Sequence, residues 1–267
     1  MDAECWLVPL ADAAPGAATL LCLPYAGAGA QAYRPLAAAL TGVRILSVEL
    51  PGRGRLIQEP LIASIGPLAD AVADMLTGAR EAGKAAGEAV GAGPGTGAAS
   101  AVEGLVLYGH SMGALLAFEV AHRLAGRSGP AVAHLVVSGC APPQARRPAA
   151  RPRHELSDDD LVAELVALGA DPEPWSEPEI RALMLPTVRA DLAAAELYAY
   201  TSRPPLRCPV TAVAGVHDPE ALPGVTAGWS AESGGGFVLH TLPAGHYLLD
   251  THLADVAAIV GGLMPRP

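Results

Sequence analysis

Residues 105–117 read LVLYGHSMGALLA, and the organisation of the whole chain can be worked out from this stretch. An apolar run leads into the pattern G-H-S-M-G, and a segment rich in alanine and leucine follows directly. A strand that turns sharply into a helix is the context in which G-x-S-x-G exposes a nucleophilic serine. Gly109 and Gly113 permit the close approach of strand and helix that such a strained turn requires. The stretch therefore predicts Ser111 as a nucleophile at the tip of a strand–turn–helix unit.

On both sides of this unit, apolar runs alternate with helical segments. Candidate helices occupy 32–40, 68–76 and 253–263, and the other candidate strands occupy 18–23, 43–50, 133–138, 209–214 and 237–242. Apolar runs this continuous are typical of parallel strands that are buried on both faces. The pattern predicts an α/β fold with a mostly parallel central sheet and helices on both of its faces.

Two segments interrupt the alternation. Residues 78–103 are dominated by alanine and glycine, which favours a flexible surface loop in the glycine-rich half, while the half with Ala, Glu and Lys could extend the preceding helix. Residues 146–203 are helical in pattern, with Ser157 as a helix cap before three aspartates and further helical stretches at 177–185 and 186–200. An insertion at this point predicts a lid over the active site. The chain is thus divided into a core of 1–145 and 204–267 and a helical lid of 146–203.

A serine hydroxyl needs a base and an orienting acid, which in this arrangement follow the serine in the order acid, then histidine. His246 comes after the last strand in the loop P-A-G-H-Y, and Asp218 comes after the preceding strand in V-H-D-P. Because both residues follow predicted strands, we expect their side chains at the same edge of the sheet as Ser111. Asp250 and Asp191 are the competing candidates for the acid.

The oxyanion that forms during attack needs two backbone N–H donors. The residue after the nucleophile, Met112, is expected to supply one. The loop after the first predicted strand is expected to supply the other, and there Ala26 is favoured, with Gly27 as the alternative. No cluster of His, Cys or Asp has the spacing of a metal site, and no glycine pattern fits a dinucleotide, so no metal or cofactor is expected.

The composition excludes several classes of partner. The formal net charge of −10 argues against binding to nucleic acid or to an anionic membrane surface. No apolar stretch is long enough to span a bilayer, and the start of the chain lacks the pattern of a signal peptide. The four widely spaced cysteines are typical of reduced thiols, which predicts a cytoplasmic protein.

With these residues identified, the chain resembles the type II thioesterases that accompany polyketide synthases and non-ribosomal peptide synthetases, which are stand-alone α/β-hydrolases. The motifs that carry the resemblance extend over most of the chain: LPYAGAG at 23–29, YRPL at 33–36, LPGRG at 50–54, GHSMGA at 109–114, LSDD at 156–159, ELYAY at 196–200, CPV at 208–210 and GH at 245–246. The family's catalytic triad falls on Ser111, Asp218 and His246. The chain departs from the family pattern in its first loop, which has Tyr25 and Ala28 where the family usually has His and Gly, and in the alanine- and glycine-rich stretch from Gly78, which is longer than the family needs.

The resemblance implies hydrolysis of an acyl group from the phosphopantetheine thiol of an acyl or peptidyl carrier protein, to clear stalled or mis-primed chains. A carboxylesterase or lipase acting on free esters, or an acyltransferase, could use the same triad. Six apolar lid side chains are expected to line an acyl channel: Leu161, Leu165, Leu183, Leu185, Leu192 and Tyr198. Because the family's carriers are acidic, we expect docking at the densest basic cluster of this chain: Arg146, Arg147, Arg151 and Arg153.

Overall fold

A computed structural model of the protein describes residues 6–88, 104–127, 129–147 and 149–265. Its centre is a seven-stranded sheet in the order β1-β3-β2-β4-β5-β6-β7. The strands, numbered along the chain, are Leu7–Ala11, Thr19–Leu23, Arg44–Val48, Leu105–His110, Val132–Ser138, Val210–Gly215 and Phe237–Leu242. β1 pairs antiparallel with β3, and every other pairing is parallel. The predicted mostly parallel sheet is confirmed.

The edge strand β1 was not expected from the sequence. It contains Pro9, and its register with β3 shifts between Pro9 and Ala11. Proline has no N–H to donate to a ladder, so within sheets it is confined to edges and irregular pairings. The position of β1 at the end of the sheet accommodates this residue.

Helices cover both faces of the sheet, as predicted. The principal helices of the core are α1 (Arg34–Ala39), α2 (Ile65–Glu88) and α3 (Met112–Ala125). The insertion contributes α4 (Asp158–Ala167) and α5 (Pro178–Glu196), and α6 (Pro223–Thr226), α7 (Leu248–Thr251) and α8 (Leu253–Leu263) follow. One apolar core joins the sheet to α2 and α3, and a second joins it to α1 and α8. Burial on both faces explains why the central strands are apolar without alternation.

The insertion between β5 and β6 has its own small apolar core. Ser157 caps α4 by accepting the Asp160 N–H, as the sequence predicted. The two helical stretches expected on either side of position 186 form the single helix α5, which contains Pro186. Proline removes one backbone hydrogen bond of a helix, but the buried contacts of α5 keep it continuous. The third core of the molecule consists of side chains of this insertion: Leu156, Leu161, Leu165, Trp175, Leu185, Val188 and Leu192.

The alanine- and glycine-rich stretch is described only in its first part. Its beginning continues α2 as far as Glu88, and the predicted flexible loop from 89 to 103 lies outside the described residues. Among the helices that the structure describes, none is both long and apolar enough to cross a membrane.

Candidate active site

Ser111 lies at a strained turn between β4 and α3. Its backbone φ of 52° is the single positive value among the described non-glycine residues. Such a backbone is costly for a residue with a side chain and persists where the surroundings enforce it. A Cβ on Gly109 would lie 2.1 Å from the Gly113 carbonyl oxygen, so the elbow closes only because this position has no side chain. The strand–turn–helix prediction is confirmed.

Three side chains from three strand ends meet at this turn. Ser111 follows β4, Asp218 follows β6 and His246 follows β7, so all three stand at the carboxyl edge of the parallel sheet. The Nε2 atom of His246 is 3.2 Å from the Ser111 Oγ atom. Its Nδ1 atom is 3.0 and 3.1 Å from the two carboxylate oxygens of Asp218. Histidine thus bridges the hydroxyl and the acid, which is the arrangement of an activated nucleophile.

The protonation of this chain of groups follows from its electrostatics. Burial alone raises the pKa of Asp218, but its hydrogen bond to His246 and the charge of that ring outweigh burial and hold the pKa below its usual value. An ionised carboxylate can only accept, so in the neutral imidazole of His246 the proton lies on Nδ1, and Nε2 is left to accept the Ser111 hydroxyl hydrogen. The serine is therefore hydrogen-bonded to a base in the correct tautomer.

A second imidazole lies beside the first. The ring centroids of His110 and His246 are 5.0 Å apart. Burial, reinforced by repulsion from His246, lowers the pKa of His110 to about 3, so this ring is neutral. Its Nδ1 atom is 3.0 Å from the Ser138 Oγ atom, which is also 3.0 Å from the Tyr108 hydroxyl. His110 thus supports the elbow without placing a competing positive charge near His246.

The two competing candidates for the catalytic acid, Asp191 and Asp250, have other surroundings. Asp191 lies on α5 and forms a buried ion pair with Arg53. Asp250 lies on α7, and burial raises its pKa. Neither makes a hydrogen bond to His246 in the described part of the chain, whereas both oxygens of Asp218 do.

The loop after β2 forms a tight turn next to the elbow. The Ala28 N–H donates to the Tyr25 carbonyl at 2.9 Å, and Gly27 has a φ of 78°. A positive φ at the third position is the signature of a type II turn and suits glycine. The Gly27 N–H donates to Asp191 Oδ2 at 2.8 Å, so it is already in use. Within the described ranges no acceptor faces the N–H of Ala26, or that of Met112 at the start of α3, and both remain available.

A cavity of about 400 Å³ opens beside Ser111. Its apolar lining includes Met112, Cys140, Leu156, Leu192 and Ala195. Its outer part is charged, with arginines from 146–153 and the carboxylates of Glu164, Glu196 and Glu220. The cavity therefore joins a small apolar floor to a charged mouth.

The lining of this cavity contradicts most of the predicted acyl channel. Of the six predicted channel residues, Leu192 alone lines the cavity at Ser111. Leu161, Leu165 and Leu185 are buried in the apolar core of the insertion, where they pack α4 against α5. Leu183 is 62% exposed, and the Tyr198 hydroxyl donates to Glu119 at 2.5 Å. Helical periodicity identified the buried faces but could not show that they pack against each other.

The predicted basic cluster lies where the sequence placed it, at the mouth of the same cavity. Its four members have different partners. Arg146 donates to the Ala195 carbonyl at 3.0 Å, and Arg147 donates to backbone carbonyls, including its neighbour's. Arg151 pairs with Asp160, and Arg153 pairs with Glu220. The cluster therefore ties the insertion together as well as presenting positive charge.

Two features of the site were not predicted. Arg53, from the loop LPGRG, is buried beside the loop after β2 and bonds the Ala28 carbonyl at 2.9 Å. The rings of Tyr25 and Tyr247 pack edge to face at 5.9 Å next to His110. A lone arginine in a glycine-rich loop gives no sequence signal of burial. No group of three potential ligand residues could hold a metal ion in the portion of the chain that the structure describes.

The comparisons with known proteins agree with this fold. The thioesterase domain family matches residues 18–83 and 99–262. Thioesterase PikA5 of Streptomyces venezuelae is 32% identical over 261 residues, which cover 96% of this chain and 84% of PikA5. Among solved structures, RedJ, a thioesterase from the prodiginine biosynthetic pathway in Streptomyces coelicolor, is 34% identical with a TM-score of 0.80 over 95% of this chain and 90% of RedJ. BorB, a type II thioesterase from the borrelidin biosynthetic cluster, is 33% identical with a TM-score of 0.80 over 97% of each chain.

Proposed function

The chain belongs to the thioesterase domain family, and from this membership we propose that it is a stand-alone type II thioesterase. Its similarity to BorB confirms the resemblance inferred from the motifs. Its proposed substrates are acyl groups on the phosphopantetheine thiol of carrier proteins in polyketide or non-ribosomal peptide biosynthesis. The observation that carries the proposal is the position of His246, within hydrogen-bonding distance of both Ser111 and Asp218.

In the proposed reaction, Ser111 Oγ attacks the thioester carbonyl carbon while His246 Nε2 takes the hydroxyl proton. Asp218 stabilises the imidazolium that forms. The tetrahedral intermediate collapses, the C–S bond breaks, and the proton passes from His246 to the departing thiol. Water then attacks the acyl-serine ester with His246 again as base, which releases the carboxylic acid and restores the serine.

The N–H groups of Ala26 and Met112 are the proposed oxyanion donors. Ala26 lies in the turn after β2 and Met112 begins α3, and neither N–H has an acceptor among the described residues. The alternative donor, Gly27, already binds Asp191, which favours Ala26. Removal of one oxyanion donor from a serine protease lowers kcat by about 10²–10³-fold, and a contribution of this order is expected here.

The basic cluster at the cavity mouth remains the proposed docking site for a carrier. Arg147 and Arg151 are the exposed members, and Arg153 is held against Glu220. We expect Arg147→Glu/Arg151→Glu to raise KM for an acyl-carrier substrate and to weaken its salt dependence, with little change for a small neutral thioester. The matched control, Arg127→Glu/Arg207→Glu, makes the same change in net charge at the opposite edge of the sheet. Equal effects of the two pairs would exclude docking at the cluster.

The experiment that tests the function compares an acyl-carrier thioester, an acyl-CoA and a p-nitrophenyl ester side by side. A type II thioesterase should give its highest kcat/KM on the carrier substrate, whereas an esterase or lipase should prefer the free ester. An acyltransferase would deliver the acyl group to an added alcohol or thiol rather than to water. Ser111→Ala should reduce every hydrolysis by at least about 10⁴-fold without unfolding the protein. Substantial thioester hydrolysis by this variant would refute the assignment of the nucleophile.

A further inference from the structure

The lid helix α5 is bonded directly to the turn that carries a proposed oxyanion donor. Asp191, on this helix, is 2% exposed, and its Oδ2 atom accepts the Gly27 N–H at 2.8 Å. One turn of helix away, Val188 packs on the same glycine, where an added Cβ would come within 2.6 Å of its Cγ2 atom. The turn and the helix are therefore fitted to each other through both a hydrogen bond and a van der Waals contact.

Arg53 completes this connection from the core side. Its two terminal nitrogens bond both carboxylate oxygens of Asp191, at 2.7 and 2.8 Å. One of them also donates to the Ala28 carbonyl at 2.9 Å, one residue beyond Gly27. A bidentate pair of this kind fixes orientation as well as distance. The turn at 25–28 is thus held at its N–H by the lid and at its carbonyl by the core.

The bond to Asp191 acts on the peptide that decides the type of the turn. Type I and type II turns differ by a flip of their central peptide, here the one that joins Ala26 to Gly27. The Gly27 N–H belongs to this peptide, so a flip would rotate it away from Asp191. The donor proposed for catalysis, the Ala26 N–H, lies on the preceding peptide, and the two peptides meet at the Ala26 Cα. Holding the Gly27 N–H therefore limits how these two peptides can rotate about that atom.

We propose that Asp191, oriented by Arg53, is a positioning residue that sets the oxyanion donor of Ala26. This inference rests on the proposed function only in so far as Ser111 is the nucleophile. It means that the insertion takes part in assembling the catalytic geometry, in addition to covering the cavity. Asp191 itself touches neither the serine nor the histidine.

The test uses three variants of the full chain. Arg53→Met/Asp191→Asn keeps a carbonyl acceptor for the Gly27 N–H and leaves no buried charge unpaired. Arg53→Met/Asp191→Leu removes the acceptor together with the buried charge it neutralises, because removing one partner alone would leave an unpaired buried ion. The control, Arg189→Ala, lies on the same helix and breaks bonds to Asp158 and to lid carbonyls without touching the turn.

The readouts are kcat on p-nitrophenyl butyrate and the affinities of two pantetheine analogues. One is a trifluoromethyl ketone, to which Ser111 adds to form a tetrahedral oxyanion, and the other is the matching thioether, which binds without reacting. For Arg53→Met/Asp191→Leu we expect kcat and ketone affinity to fall about 10- to 100-fold, with thioether affinity within threefold of the parent. Arg53→Met/Asp191→Asn, which keeps the acceptor, and Arg189→Ala should each lose less than tenfold.

The proposal would be overturned if Arg53→Met/Asp191→Leu stays folded and keeps kcat and ketone affinity within threefold of the control Arg189→Ala. Equal losses of ketone and thioether affinity would also overturn it, because they would indicate a general disturbance of the cavity. The ester assay depends on Ser111 but not on a carrier. A protein that hydrolyses the ester and no carrier thioester would therefore refute the proposed substrate, while the role of Asp191 would still be decided by the same variants.

Discussion

The substitution Gly113→Ala tests the elbow most directly, because it adds one methyl group between the start of α3 and the end of β2, next to the segments that carry the two proposed oxyanion donors. A Cβ at this position would lie 2.2 Å from the Leu23 carbonyl oxygen and 2.8 Å from that of Pro24. Both are backbone atoms, and they lead directly into the turn that contains Ala26. No side chain can move aside to make room.

The contact distances at Gly113 determine how large the losses of activity and stability should be. Ordinary van der Waals contact begins at 3.4 Å, so the strand end or the start of α3 must shift by about 1.2 Å. A misplacement of about 1 Å can cost about 10²-fold in rate, and we expect a loss of this order in kcat/KM. Overpacking costs about 1–3 kcal/mol, and the gain of about 1 kcal/mol from alanine in a helix offsets part of it. The net loss of about 0–2 kcal/mol should lower Tm by up to about 8 °C.

The assay pairs thermal unfolding with steady-state kinetics on a single thioester. The control is Gly78→Ala, within α2, where an added Cβ meets nothing within 4 Å. This variant should keep kcat/KM and gain up to about 1 kcal/mol in stability. If Gly113→Ala matched the parent in both kcat/KM and Tm, the close approach of strand and helix would not govern the donor geometry, and the reasoning would be refuted.

Three further predictions concern the acid, a buried carboxylate and the lid. Asp218→Asn should lower kcat by about 10⁴-fold while Asp250→Asn has little effect, and the reverse order in steady-state kinetics would identify a different acid. Burial raises the pKa of Glu119, but hydrogen bonds from neighbouring arginine and tyrosine side chains outweigh burial and lower it. The stability that Glu119 contributes is thus present above its unfolded pKa and is lost as pH falls through its folded pKa. In chemical denaturation at a series of pH values, Glu119→Gln should therefore reduce the fall in unfolding free energy on the acid side. An unchanged slope would contradict this. Leu161→Ala, in the apolar core of the insertion, should lower the free energy of unfolding by about 2–5 kcal/mol, whereas the exposed Leu183→Ala should leave it almost unchanged. Equal losses in calorimetry would mean that this core is not packed as described.

The sequence predicted those parts of the fold that depend on local pattern. The strand at 237–242 and the helix at 253–263 were predicted with the residue limits that they have in the structure, because Gly236 and Pro243 bound the strand and Pro265 follows the helix. The edge strand at Leu7–Ala11 was missed because Pro9 masks its strand character. The split of α5 at Pro186 was wrong because packing on the core overrides the missing hydrogen bond.

The same contrast between local sequence pattern and tertiary packing holds within the site. Ser111, Asp218 and His246 could be located because each follows a predicted strand and the ends of parallel strands converge. The pair of Arg53 and Asp191 could not be found in this way, because its members are 138 residues apart and neither belongs to a motif for ion pairing. Only the packing of the insertion on the loop after β2 brings the two together.

The basic cluster shows why a sequence pattern can identify a region and still misjudge its charge. Arg151 and Arg153 are paired with Asp160 and Glu220. Each such exposed or half-exposed pair contributes at most about 1 kcal/mol to stability, but it cancels the charge that a distant partner would sense. Arg147 bonds only carbonyl oxygens among the described residues, so its positive charge is not neutralised there. Any attraction of an acidic carrier to the cavity mouth must then come from few charges acting at short range, since the chain as a whole carries a net charge of −10.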